Sequence, residues 1–192
     1  MKNIAVLVSG GGTNLQALID AEIPNANICL VISSKPDVYA LTRAANNNIK
    51  TAIVDWSAYK PDRKAFSMEI LKLLKTHNID LVVYAGFMVI LDSCVVRSYP
   101  DAMLNVHPSL IPAFSGVGMY GIKVHKAAIE RGVKLSGATV HFVNEVCDGG
   151  PIIIQEAVPV FDDDTPEMLQ ARVMEAERRI LPEAVKLLCK SK

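Results

Sequence analysis

The chain has 192 residues, 51% of them apolar, enough for one large core and short for two domains. Twenty Lys and Arg balance twenty Asp and Glu, so no net field draws nucleic acid or an anionic membrane, and the partners expected are small molecules. Cys29, Cys94, Cys147 and Cys189 stand far apart with no metal-finger spacing, which argues against a zinc site or a disulfide framework and for a reducing, cytoplasmic setting. The longest apolar stretch, Leu81 to Leu91, is too short to span a bilayer, and the first residues lack a signal-peptide cleavage pattern.

In chain order, strand-like runs over Asn3–Val8, Ile28–Ser33, Thr51–Val54 and Leu81–Ala85 alternate with helix-period segments over Leu15–Ala21, Val38–Asn46 and Arg63–Thr76. That alternation predicts successive βαβ units and a parallel sheet. Between the first strand and the first helix lies Ser9-Gly10-Gly11-Gly12-Thr13-Asn14, where unpaired amides and the helix dipole favour an anion. A dinucleotide fingerprint fails, because Leu15 replaces its third glycine and the second strand ends in Ser33-Ser34 without an acidic residue for a ribose. No Gly-Lys-Ser/Thr follows either, so the loop suits a single phosphate; the alternative is a tight turn needing glycine for geometry alone.

The second half predicts a strand ending at Asn105, a helix near Ile122–Glu130, and strands over Leu135–Val143 and Ile152–Val160 joined by Asp148-Gly149-Gly150. A long helix from Thr165 to Leu188 follows, opened by a capping hydroxyl and Pro166. Ser115–Gly121 is the one loop rich enough in glycine to move. The expected architecture is a single α/β domain, 1–192, with a mostly parallel twisted sheet of about seven strands and helices on both faces. Its first half, 1–100, is of the Rossmann-like, mononucleotide-binding kind; 101–192 would carry the catalysis.

Asn105-Val106-His107-Pro108-Ser109 and Asp148 hold the chemistry. Asn105 and His107 are two apart at the end of an extended run, so both point to one face, and Pro108 keeps His107 out of a helix. An amide donor, an imidazole and a carboxylate are the parts needed to move an acyl group. Asn105 can donate to a developing oxyanion, a contribution of roughly 3–4 kcal/mol when well placed. His107 can protonate the departing nitrogen, with Asp148 expected to raise its affinity for a proton. Cys147, beside Asp148, is not expected to be a nucleophile. His77 and His125 read as helix-surface residues, and His141, in an apolar strand, as structural or supporting. No three ligands converge at metal spacing, so no metal is expected.

Asn105, His107, Pro108-Ser109-Leu110-Ile111-Pro112 and Asp148 resemble the core of the formyltransferases that use 10-formyltetrahydrofolate. Val8-Ser9-Gly10-Gly11-Gly12-Thr13-Asn14-Leu15-Gln16-Ala17 resembles the phosphate loop of the branch whose acceptor is the amine of 5-phosphoribosylglycinamide, in purine synthesis. The likeness runs from the first strand to the last helix. It implies direct transfer through a tetrahedral intermediate, with 10-formyltetrahydrofolate as co-substrate and Asn105, His107 and Asp148 catalytic. By resemblance Gly12, Thr13, Asn14 and Glu177 meet the acceptor, Glu177 through its ribose or amine. The folate would lie against Met88, Val89, Ile90, Leu91, Asn105, Asn144, Glu145, Val146, Cys147 and Asp148, with Arg63 at its carboxylate tail. Family members commonly carry a basic residue where this chain has Val89. Two rivals share the Asn-His-Asp centre: a hydrolase, expected to carry a preceding regulatory domain, and a tRNA formyltransferase, expected to carry a following basic domain. A non-catalytic nucleotide-binding protein would explain the glycine loop alone. Monomer and homodimer are both compatible with the sequence.

Overall fold

The computed structural model describes residues 1–190; positions 191 and 192 of the expected 1–192 unit lie outside the described residues. In chain order the elements are β1 (Lys2–Val8), α1 (Thr13–Asp20), β2 (Ala26–Ser33), α2 (Tyr39–Asn46), β3 (Lys50–Ile53), α3 (Trp56–Tyr59), α4 (Arg63–Thr76), β4 (Leu81–Tyr84), α5 (Ser93–Ser98), β5 (Met103–His107), α6 (Ile122–Arg131), β6 (Leu135–Phe142), β7 (Ile152–Pro159) and α7 (Pro166–Cys189). Each element expected from the sequence is present with its ends within two residues. One correction matters for function: β5 does not stop at Asn105 but continues through His107.

The seven strands form one sheet in the order β3-β2-β1-β4-β5-β6-β7. The pairs from β3 to β5 are parallel, whereas β5–β6 and β6–β7 are antiparallel. β1 alternates between two cores: Ile4, Val6 and Val8 face a cluster with Leu15, Val173 and Leu181, while Ala5 and Leu7 face one with Phe66, Ile70 and Met103. A strand buried on both faces reads as a continuous apolar run, which is why Ile4 to Val8 is unbroken by polar residues. α3 and α5, with four and six residues, escape periodicity; their only local signals are the capping carboxylates of Asp55 and Asp92, which accept from Ser57 N and Cys94 N.

The chain order places the site. β1 has β2 on one side and β4 on the other, so the connections leave in opposite directions there, and open α/β sheets bind ligands outside the carboxyl ends of strands at such a switch point. The β1–α1 loop, the loop after β4 and the end of β5 all lie at that edge. The β6–β7 hairpin brings Asp148 back to it, with a register shift between Val140 and His141.

Candidate active site

A cleft of about 870 Å³ opens at this edge, and its walls include Gly12, Asn14, Asn105, His107, Asp148 and Glu177. Residues from four regions of the chain therefore meet in one cavity, Asn14 and Glu177 being 163 positions apart.

His107 and Asn105 point from the same face of β5, as their spacing predicts. His107 is 4% exposed. Its Nε2 is 2.9 Å from Phe114 O, and a carbonyl only accepts, so Nε2 carries hydrogen and the exchangeable position is Nδ1. That atom faces Asp148 Oδ2 at 3.5 Å. Burial holds the imidazole below its ordinary affinity for a proton; the charge of Asp148 and the Phe114 carbonyl oppose this, and His141 adds to the lowering. Asp148 raises the histidine's affinity for a proton, as its charge predicts, but desolvation is larger and the net shift is downward.

Asp148 is the hub. It sits in the left-handed region at φ 54, a conformation Asp tolerates better than most residues. Its Oδ2 accepts from Gly116 N at 2.9 Å, and its Oδ1 lies 3.4 Å from Asn105 Nδ2 and 3.7 Å from His141 Nε2. Burial pushes this carboxyl up, yet the contacts with His141, His107 and Gly116 together outweigh it and hold the group below the usual carboxylate range. It is a carboxylate at neutral pH.

His141, 2% exposed, lies opposite Asn105 in the β5–β6 ladder. Its Nδ1 donates to Phe142 O at 2.8 Å, which leaves Nε2 to accept from Asn105 Nδ2 at 3.1 Å. One N–H of the Asn105 amide is therefore fixed. The other, held only at 3.4 Å to Asp148, is the one able to turn towards an oxyanion. His141 orients Asn105, a role legible only once the antiparallel register is known.

His125 needs a larger correction. It is 1% exposed rather than on the surface, lines the cleft, and its Nδ1 has no hydrogen-bond partner among the described residues. Burial, then the neighbouring His107, push its pKa down to about 4. The signal was present in the sequence, since His125, Ala128 and Ile129 share one arc of a helix whose buried residues include His125 and Ala128. His77 is half-buried at the end of α4, its Nδ1 2.9 Å from Leu73 O.

At the other end of the cleft Gly12 starts α1 in the left-handed conformation, φ 72. Glu177, on α7, is 8% exposed and accepts from Asn14 Nδ2 at 2.7 Å. Burial pushes its carboxyl up to about 7 against that hydrogen bond. It is not one of the solvated carboxylates common on such a helix. Asn14 Oδ1 is buried with no hydrogen-bond partner among the described residues.

Two further stretches line the same cleft as its walls. On one, Met88 and Ile90 are half exposed, Val89 is partly buried against the Phe66 core, Leu91 belongs to that core, and Arg63 is exposed at the first turn of α4. Ser9 Oγ ties this wall to the glycine loop, accepting from Met88 N at 2.9 Å. On the other, Asn144 holds its own loop through Gly149 O and Val146 N, Val146 is 64% exposed, and Glu145 turns outward to Arg97 Nε at 2.6 Å. Burial, then Asp148, push the Cys147 thiol up, which makes it a poor nucleophile. Among the described residues no group of three or more His, Cys, Asp or Glu is arranged to hold a metal ion, and no helix is long and apolar enough to cross a membrane.

The fold and cleft together define an α/β group-transfer enzyme, with an acid–base cluster and a glycine loop lining one cavity. Comparison with known proteins gives the family. The formyl transferase family model matches residues 2–185. The chloroplastic phosphoribosylglycinamide formyltransferase of Arabidopsis thaliana is 37% identical over the whole chain, which spans 66% of that protein. The human trifunctional purine biosynthetic protein adenosine-3 is 45% identical over 96% of the chain, which spans 18% of it. Among solved structures, glycinamide ribonucleotide transformylase 1 of Symbiobacterium toebii superposes with a TM-score of 0.92 at 42% identity, covering 98% of this chain and 88% of that one. The chain belongs to the formyl transferase family. It spans two thirds or less of the length of these two curated relatives.

Proposed function

We propose that the protein transfers the formyl group of 10-formyltetrahydrofolate to the amine of 5-phosphoribosylglycinamide, a step of purine biosynthesis. The observation that carries this reading is the continuity of one cleft from the Asn105–His107–Asp148 cluster to the glycine loop and Glu177. The folate lies against Met88 to Leu91 and Asn144 to Asp148, an apolar slot suited to a flat heterocycle, with Arg63 towards its tail. The acceptor's phosphate lies on the amides of Gly12, Thr13 and Asn14, and Glu177 meets its ribose or amine. The half 1–100 then supplies the phosphate loop and one folate wall, and the half 101–192 supplies the catalytic residues, the other folate wall and Glu177. The setting is the cytoplasm, consistent with unpaired cysteines.

The amine nitrogen attacks the formyl carbon, and the carbonyl oxygen becomes an oxyanion that the turning N–H of Asn105 meets. His107, protonated at Nδ1 beside Asp148, gives that proton to N10 as the carbon–nitrogen bond breaks. The proton lost by the amine returns to the Asp148–His107 pair through water. Because burial keeps free His107 largely neutral, the oxyanion itself has to help protonate it, and negative charge beside an imidazole does so.

Purified protein with 10-formyltetrahydrofolate, assayed with and without the glycinamide ribonucleotide, tests the reading. Acceptor-dependent formation of tetrahydrofolate is expected. Turnover without acceptor would make the protein a hydrolase, and no turnover would leave it a binding protein.

A further inference from the structure

The glycine loop is held from behind. Gly10 O accepts from Ala40 N at 3.2 Å and Gly12 O from Gln16 N at 2.9 Å. Between them, Gly11 O accepts from Arg43 Nε at 2.9 Å, and Arg43 Nη1 reaches Gln16 Oε1 at 3.1 Å. The guanidinium is braced on its other face by the Tyr39 ring, 4.8 Å from the ring centre. A trans peptide is planar, so the N–H that follows each carbonyl points the opposite way. With the carbonyls of Gly10 and Gly11 both drawn towards α2, the amides of Gly11 and Gly12 point away from it, towards the cleft that both residues line. A Cβ added at Gly10 or Gly11 would meet nothing within 4 Å, whereas one at Gly12 would lie 2.7 Å from Ala40 Cβ. The loop is pressed onto α2 on one side and open on the other.

We propose that Arg43, which is absent from the lining of the cleft, is a positioning residue that sets affinity for the acceptor's phosphate by fixing the Gly11–Gly12 peptide with its amide turned towards the ligand. This rests on the glycine loop being the phosphate site of the proposed function. Arg43 contributes a placed donor rather than a ligand contact. Without it the Gly11 carbonyl loses its partner, and the peptide is free to rotate so that an oxygen, not an N–H, faces the anion.

Glutamine and methionine separate a donor from a charge. In Arg43→Gln the amide nitrogen occupies the place of Nε and can still donate to Gly11 O, without a positive charge; Arg43→Met has similar length and no donor. For Arg43→Met, calorimetry with inorganic phosphate should show affinity lower by about tenfold or more, the scale for one hydrogen bond involving a charged group. The KM for the ribonucleotide should rise alike, while kcat and the KM for 10-formyltetrahydrofolate stay within about twofold of wild type, as an intact fold requires. Arg43→Gln should restore most of the loss. A glutamine variant as impaired as the methionine one would mean that charge alone matters and overturns the proposal, as would unchanged constants in both. On the wild-type protein, an NMR titration with inorganic phosphate should move the Gly11 and Gly12 amide resonances, and an unmoved Gly12 amide would reject the orientation even if the methionine variant fails to fold. If phosphate binds as described but the ribonucleotide supports no turnover, the proposed function fails and the role of Arg43 stands.

Discussion

Replacing Glu177 by glutamine should make the protein more stable at alkaline pH and a poorer catalyst. The carboxyl of Glu177 is raised from 4.5 to about 7 by burial, so the folded protein holds a proton there that the unfolded chain releases. Stability is then full below the ordinary pKa of 4.5 and falls as pH rises through about 7. At 1.36 kcal/mol per unit, the loss by alkaline pH is about 3 kcal/mol. The glutamine side chain keeps an oxygen for Asn14 Nδ2 to donate to and never ionises, so the variant escapes that loss. Urea unfolding of both proteins at about pH 5 and about pH 8.5 isolates the effect, because every other titrating group is common to the two. The difference between variant and wild type should grow by about 3 kcal/mol between those conditions, while the KM for the ribonucleotide rises. A difference that stays constant with pH would refute the buried, proton-holding carboxyl, whatever the constant offset.

His107→Ala should lower kcat by about a hundredfold or more, the usual scale for losing a general acid, while calorimetric binding of inorganic phosphate stays intact; near-normal turnover at saturation would remove its role. Asp148→Asn deletes a cause that raises the His107 pKa, so the imidazole should lose its proton at still lower pH, and an NMR titration finding the same or a higher value would contradict the coupling. Gly12→Ala should destabilise the fold by about 1–3 kcal/mol through overpacking against Ala40. Gly11→Ala, whose Cβ meets nothing within 4 Å, should leave thermal unfolding nearly unchanged and raise the KM for the ribonucleotide selectively. The glycine that tests phosphate binding is therefore Gly11, since a side chain at Gly12 would damage the packing of α2 first.

Periodicity and punctuation carried most of the fold. Ile4–Val8 is apolar throughout because both of its faces are covered, and the cap at Thr165 with Pro166 behind it fixes the start of α7. α3 and α5 are too short to show a period. In the site, Asn105 and His107 are legible from spacing two along a strand, and the glycine loop from its place after the first strand. Glu177 comes only through resemblance, since nothing local distinguishes a carboxylate buried by α1 from a solvated one. His141 becomes meaningful only with the β5–β6 register, whereas His125 lies on an apolar helical arc that marks it as buried once the arc is weighed above residue type. The sign of the His107 shift depends on a contest between burial and a carboxylate, which distances and exposure decide and residue types alone do not.

The hydrogen bond from Asn14 to Glu177 joins the first helix to the last across 163 positions. α7 lies against β6, β7, α1 and α6, so the acceptor end of the cleft does not exist until the carboxy-terminal helix has docked on the amino-terminal βαβ unit. Contacts of such long sequence separation are slow to form because chain closure precedes their reward. A chain lacking the docked α7 would keep the glycine loop but not Glu177, so the ribonucleotide would find only half a site. Acceptor binding therefore reports on assembly of the chain from its first helix to its last, which secondary structure content does not.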